Sequence, residues 1–79
     1  MTGAEFEEEV RRALASNAGD EALFGLLKGL HATGASRDVA QAALERVRAE
    51  LKDEKQEDRV LEMLDVVVGF CSPHQRLWP

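Results

Sequence analysis

The sequence is poor in cysteine, proline and aromatic residues: its 79 residues include one cysteine, two prolines, one tryptophan and no tyrosine. A single cysteine, Cys71, excludes an intrachain disulfide, since that bond needs two thiols. No apolar run approaches the roughly 20 residues that a membrane-spanning helix needs. The opening residues 1–5 lack the basic and apolar segments of a secretory signal, so we expect a cytoplasmic protein.

Cationic side chains are outnumbered, with 10 Lys and Arg against 15 Asp and Glu, and the net charge is −5. The basic residues are spread along the chain, whereas binding to nucleic acid or to an anionic membrane requires a concentrated basic surface. We therefore expect neither of these partners. An acidic surface suits a basic protein partner, and it also suits simple solubility.

Length and composition indicate one globular domain spanning residues 1–79, because hydrophobic residues reach 44% and charged residues 32%. The abundance of Ala, Arg, Glu, Leu and Val, with no tyrosine, suggests a bacterial source. No internal repeat or linker divides the chain.

The first half of the chain predicts two amphipathic helices. Thr2 and Glu5 form the spacing of a capping box, and Asp20 is a suitable N-cap for the second helix. Apolar residues recur at helical spacing in both: Phe6, Val10, Ala13 and Leu14, then Leu23, Leu26, Leu27 and Leu30. Gly25 and Gly29, four apart, predict a close approach by another helix, and Gly34 is the expected end of the second helix.

The second half allows two interpretations. Ser36 is a good N-cap, and no glycine or proline interrupts the chain from there to Val68, so one long helix that needs a partner chain is conceivable. The apolar stripe is absent between residues 52 and 59, however, and Asp53 with Gln56 has the spacing of a second capping box. We therefore favour two helices, the second ending at Gly69. The apolar stripe of the third helix is Val39, Ala40, Ala43, Leu44, Val47 and Leu51. The predicted buried side of the last helix is Val60, Leu61, Leu64, Val67 and Val68, with Met63 flanking.

The predicted fold is an all-α, up-down bundle of four helices with an ordered C-terminal tail, residues 70–79, packed on it. This tail holds the only cysteine, the only tryptophan, both prolines and one of two histidines. In one interpretation Leu77 and Trp78 fold back over the open end of the bundle. In another, Arg76, Leu77 and Trp78 contact a partner, since Trp and Arg are frequent at binding hot spots.

A third interpretation of the tail is a metal site. Cys71 and His74 have a ligand-like spacing, but a structural zinc site needs four ligands. A monomer would have to add both His31 and a carboxylate such as Asp65, and a dimer would supply two Cys–His pairs. The pattern is half a motif, so we expect no cofactor. A nucleophilic Cys71 is also not expected, because nothing in the sequence supplies an orienting group or an oxyanion site.

Two resemblances extend these expectations. In size, acidity and helix content the chain resembles bacterial immunity proteins of the nuclease-colicin kind, which mask basic toxins. Residues 65–74, closing on Leu77 and Trp78, are similar to the tails of short uncharacterised bacterial helical proteins. The second resemblance implies no activity, but it marks the tail as the distinctive element.

Together these features predict that the protein is not an enzyme. The leading hypothesis is a non-catalytic protein–protein interaction module, whose most concrete version is an immunity- or antitoxin-like inhibitor of a basic partner. The alternatives are a structural homodimer without small-molecule chemistry and a metal-binding module that uses Cys71 and His74.

Overall fold

A computed structural model describes residues 1–69 together with Leu77 and Trp78; residues 70–76 and Pro79 lie outside the described part. Four helices are present: α1 (Gly3–Ala15), α2 (Asp20–Ala32), α3 (Arg37–Glu50) and α4 (Glu54–Val68). No strand occurs among the described residues. The prediction of an all-α bundle of four helices is confirmed. None of these four helices has the length and hydrophobicity that crossing a membrane requires.

Helix starts follow the predicted capping chemistry at three of four positions. Thr2 and Glu5 form the complete capping box of α1, and the Ser36 hydroxyl accepts from the N–H of Val39 at the start of α3. Asp53 caps α4 by accepting from two backbone N–H groups. The exception is α2, whose N-cap is Gly19, while Asp20 is its first helical residue. Asp20 still lies at the positive end of the helix dipole, where a carboxylate is favourable.

The separation of α3 from α4 answers the question of one helix or two. Leu51 takes an extended conformation, and α4 begins only after Asp53. Gln56 does not complete a capping box, because its side-chain amide donates instead to the carbonyl oxygen of Leu14 at 3.2 Å. This hydrogen bond ties the first turn of α4 to the end of α1.

The helices pack so that α1 contacts α2 and α3, while α4 contacts α3 and α2. The remaining pairs, α1 with α4 and α2 with α3, touch at few positions. Consecutive helices are thus neighbours within each half, and the two halves join mainly through α1 and α3. The core between them is lined by one apolar face of every helix. Its buried residues are Phe6, Val10, Leu14, Leu23, Leu27, Leu30, Ala40, Ala43, Leu44, Val47, Val60, Met63, Val67 and Trp78.

Several core assignments from the pattern need correction. Val39 is 40% exposed because it lies in the first turn of α3, at the edge of the bundle. In α4, Met63 is buried rather than flanking, while Leu61, Leu64 and Val68 are only half-buried. The predicted close approach at Gly25 and Gly29 is wrong. A Cβ atom at Gly25 would meet nothing within 4 Å, and one at Gly29 would meet only the Cε of Met1 at 3.8 Å.

Candidate partner-binding surfaces

Trp78 lies in the core at the end of the bundle where α2 meets α3. Its side chain is only 7% exposed, and its indole N–H donates to the carbonyl oxygen of Ala35 at 3.0 Å. The His31 ring meets the indole edge-on, with centroids 5.0 Å apart and planes at 87°. Ala35 belongs to the short connection between the two helices, so Trp78 fixes that connection against the core.

The three predicted contact residues of the tail occupy different situations. Trp78 is buried and Leu77 is half-buried against the core, while Arg76 lies outside the described residues. Burial of Trp78 is the position expected if the tail covers the bundle. A partner would contact only the exposed part of Leu77 and Trp78, so the role of these two residues in recognition stays a prediction.

The predicted metal ligands Cys71 and His74 also lie outside the described residues. Residues 1–69, with Leu77 and Trp78, contain no group of three His, Cys, Asp or Glu side chains that could hold a metal ion. His31, the other candidate nitrogen ligand, makes the ring contact with Trp78.

A buried carboxylate joins α1 to α3, and sequence reasoning missed it. Glu7 is 8% exposed, and Arg46 of α3 donates to both of its carboxylate oxygens, at 3.1 and 3.0 Å. Arg11 donates to Glu7 at 3.4 Å and to Glu50 at 2.8 and 3.0 Å. Four side chains thus form one network across the helix pair.

The Arg46 hydrogen bonds hold the pKa of Glu7 below its ordinary value, against the opposing effect of burial, and the charges of Arg46 and Arg11 add to the lowering. The sequence signal was present, because Glu7 follows Phe6 and precedes Leu14 by seven residues, on the border of the apolar stripe. The two glutamates that follow differ from Glu7, since Glu8 is exposed and the Glu9 side chain is 40% exposed.

A row of exposed carboxylates runs along the outer side of α4, at positions i, i+4, i+8 and i+11. Its members are Glu54, Asp58, Glu62 and Asp65, and we call it the acidic row. None of the four has an ion-pair partner among the described residues. The nearby Arg59 turns the other way, donating to the carbonyl oxygen of Ala18 and lying 3.4 Å from Asp20.

A second row lies beside the acidic row, on the side of α4 that borders α3. It consists of three half-buried aliphatic residues at i, i+3 and i+7, which are Leu61, Leu64 and Val68, and we call it the apolar row. Glu57, also half-buried, lies one turn before this row. At the turn between α3 and α4 the row opens into a shallow surface depression lined by Glu45, Arg48, Ala49, Leu51 and Glu57. Arg48 approaches Glu57 across it at 3.9 Å.

No family model, curated protein or solved structure matches the chain. The fold defines the class of protein, an all-α bundle of four helices, and a fold alone does not determine function.

Proposed function

We propose that this protein is a non-catalytic protein-binding module whose partner is a basic protein, and that an immunity- or antitoxin-like inhibitor is the most concrete form of that function. The observation that carries the proposal is the acidic row of α4. Its four carboxylates are exposed and unpaired within the described chain, so their charge is available to a partner.

Three members of the acidic row oppose the stability of their own helix, whereas Glu54 lies in its first turn, where a carboxylate is favourable. Glu54 with Asp58, and Asp58 with Glu62, are like-charge pairs at i,i+4, each of which destabilises a helix by about 0.2–0.5 kcal/mol. Asp65 lies in the final turn of α4, where the helix dipole disfavours a negative charge and no basic residue compensates it. A charge pattern that costs stability supports a role outside folding.

The buried carboxylate of the chain supports a non-catalytic role. Glu7 is held by Arg46 and Arg11, and its pKa is lowered, so it stays ionised near neutral pH. A general acid or base works best when its pKa lies near the working pH. Glu7 therefore serves to join α1 and α3 rather than to transfer protons.

The competing proposal is a structural homodimer. A second copy would bring another net charge of −5 toward the same face. Like charges placed together at an interface oppose association, whereas a basic partner gains both encounter rate and specificity. The charge of α4 therefore favours a different, basic protein.

The test is to capture partners of the tagged full chain from cells of the source organism, identify them, and measure each purified partner by titration calorimetry. We expect one basic protein to bind in equal stoichiometry, with an affinity that falls as salt rises. Recovery of the chain's own copies alone, with twice the chain mass in sedimentation equilibrium, would contradict the proposal and establish the homodimer.

A further inference from the structure

The outer face of α4 combines two parallel rows of side chains with different chemistry. The apolar row repeats at i, i+3 and i+7, which is the spacing by which one helix packs along another. The acidic row runs beside it. No other helix of the described chain covers either row fully, since Leu61, Leu64 and Val68 are only half-buried.

The depression at the α3–α4 turn continues the apolar row and widens the face. Leu51 and Ala49 contribute apolar surface there, while Glu45 and Glu57 stand on its two sides. Carboxylates therefore border the apolar surface from α3 as well as from α4. The single cation in this lining, Arg48, is engaged with Glu57.

We infer that this face is a docking site for one cationic amphipathic helix of a partner protein, an inference that rests on the proposed function and specifies its surface. The apolar side of the incoming helix packs along Leu61, Leu64 and Val68. Its Lys and Arg side chains meet Asp58 and Asp65, which flank that row. Helix-in-groove recognition uses such anchors at i, i+3, i+4 and i+7.

Charge complementarity selects this occupant over a second copy. The face presents the acidic row and the carboxylates of Glu45 and Glu57 around a narrow apolar strip. The α4 helix of a second copy would place its own acidic row near these groups, where like charges oppose association. A cationic amphipathic helix covers the apolar row and pairs its own charges with the acidic row at the same time.

The probe for the test is a synthetic peptide of two heptads, each Leu-Lys-Ala-Leu-Lys-Lys-Ala, titrated into the ¹⁵N-labelled full chain and followed by amide chemical shifts. We expect the shifts to concentrate in residues 57–68. The variant D58N/E62Q/D65N should bind about tenfold more weakly, since three exposed charge contacts are lost. Leu61→Ser should weaken binding as well, whereas Val39→Ser, at an exposed aliphatic position elsewhere, should not.

The matched control for charge is E8Q/E21Q/D38N, which removes the same net charge from exposed, unpaired carboxylates of the other three helices. Its affinity should change less than about twofold. The inference is overturned if both triple variants weaken binding equally, if a peptide of the same composition with its leucines scrambled binds as well, or if the shifts lie on α1 and α2.

The same variants separate this inference from the proposed function. If the basic partner captured from cells still binds D58N/E62Q/D65N with unchanged affinity, the docking site is wrong while the binding module stands. If calorimetry finds no basic partner for the unmodified chain, the proposed function itself fails.

Discussion

The closed sides of the bundle and the outer face of α4 both contain acidic residues, but these residues affect stability in opposite directions. Between α1 and α3, Glu7 is paired with two arginines, and at the α2–α3 connection Trp78 is buried with its N–H donated. Along α4, four carboxylates have no cation among the described residues. The carboxylate of Glu7 stabilises this protein through its arginine partners, whereas the neighbouring like charges along α4 lower the stability of their helix.

The largest effect on the closed sides should come from Trp78→Ala. The indole is 7% exposed and belongs to the core, so its removal should lower the free energy of unfolding by about 3 kcal/mol. Trp78→Phe retains an aromatic ring but loses the hydrogen bond to Ala35, and should cost less. Urea denaturation measures both variants, and an unchanged midpoint for Trp78→Ala would show that the tail does not stabilise the bundle.

Removal of the buried carboxylate should rank second. Glu7→Gln leaves Arg46 without its anionic partner and Arg11 with Glu50 alone, and should lower the free energy of unfolding by about 1–2 kcal/mol. The control is Glu8→Gln, one residue along, where the side chain is exposed and a change within about 0.5 kcal/mol is expected. Equal costs for the two would mean that the α1–α3 network contributes nothing specific.

Lowering the pH should remove the stabilisation by the Glu7 carboxylate without any mutation. The pKa of Glu7 is lowered in the folded protein, so its stabilisation is complete above the unfolded pKa and is lost as pH falls through the folded value. The difference in unfolding free energy between the unmodified protein and Glu7→Gln should therefore be constant near neutral pH and shrink below pH 4.5. A difference that persists unchanged into stronger acid would contradict this pairing.

The smallest and oppositely signed effect should come from α4. D58N/E62Q/D65N removes the like-charge contacts of the acidic row and should raise the free energy of unfolding by about 0.5–1 kcal/mol. Circular dichroism during urea denaturation measures this gain. A clear loss would show that the acidic row contributes to folding.

The matched triple E8Q/E21Q/D38N should behave differently in the same experiment. Glu21 and Asp38 lie in the first turns of α2 and α3, where negative charge is favourable, so their neutralisation should leave stability unchanged or slightly lower. If this variant gained as much free energy of unfolding as the α4 variant, the α4 effect would reflect net charge rather than the position of the carboxylates.

The sequence predicted most of the fold because caps and apolar spacing are local signals. Ser36 and Asp53 placed the starts of α3 and α4, and Asp53 decided between one helix and two without any glycine or proline at the turn. Gly25 led to the wrong prediction of a close helix approach, since a glycine within a helix indicates a cost in stability but not the reason for it.

The pairings across the fold lay beyond sequence reasoning, because they depend on which helices become neighbours. Glu7 finds Arg46 and Trp78 finds Ala35 over separations of 39 and 43 residues. The spacing of the acidic row could be recognised in the sequence. The absence of ion-pair partners for it among the described residues could not. That property requires knowing that Arg59 turns toward α2.

The most direct test of the account is carbodiimide cross-linking of the full chain to its basic partner, because this reagent joins carboxylates to lysine amines in direct contact. Mass spectrometry then identifies the carboxylates that reacted. We expect the cross-links to fall on Asp58, Glu62 and Asp65. Cross-links confined to Glu8, Glu21 and Asp38 would contradict the claim that the unpaired carboxylates of α4 are the binding surface.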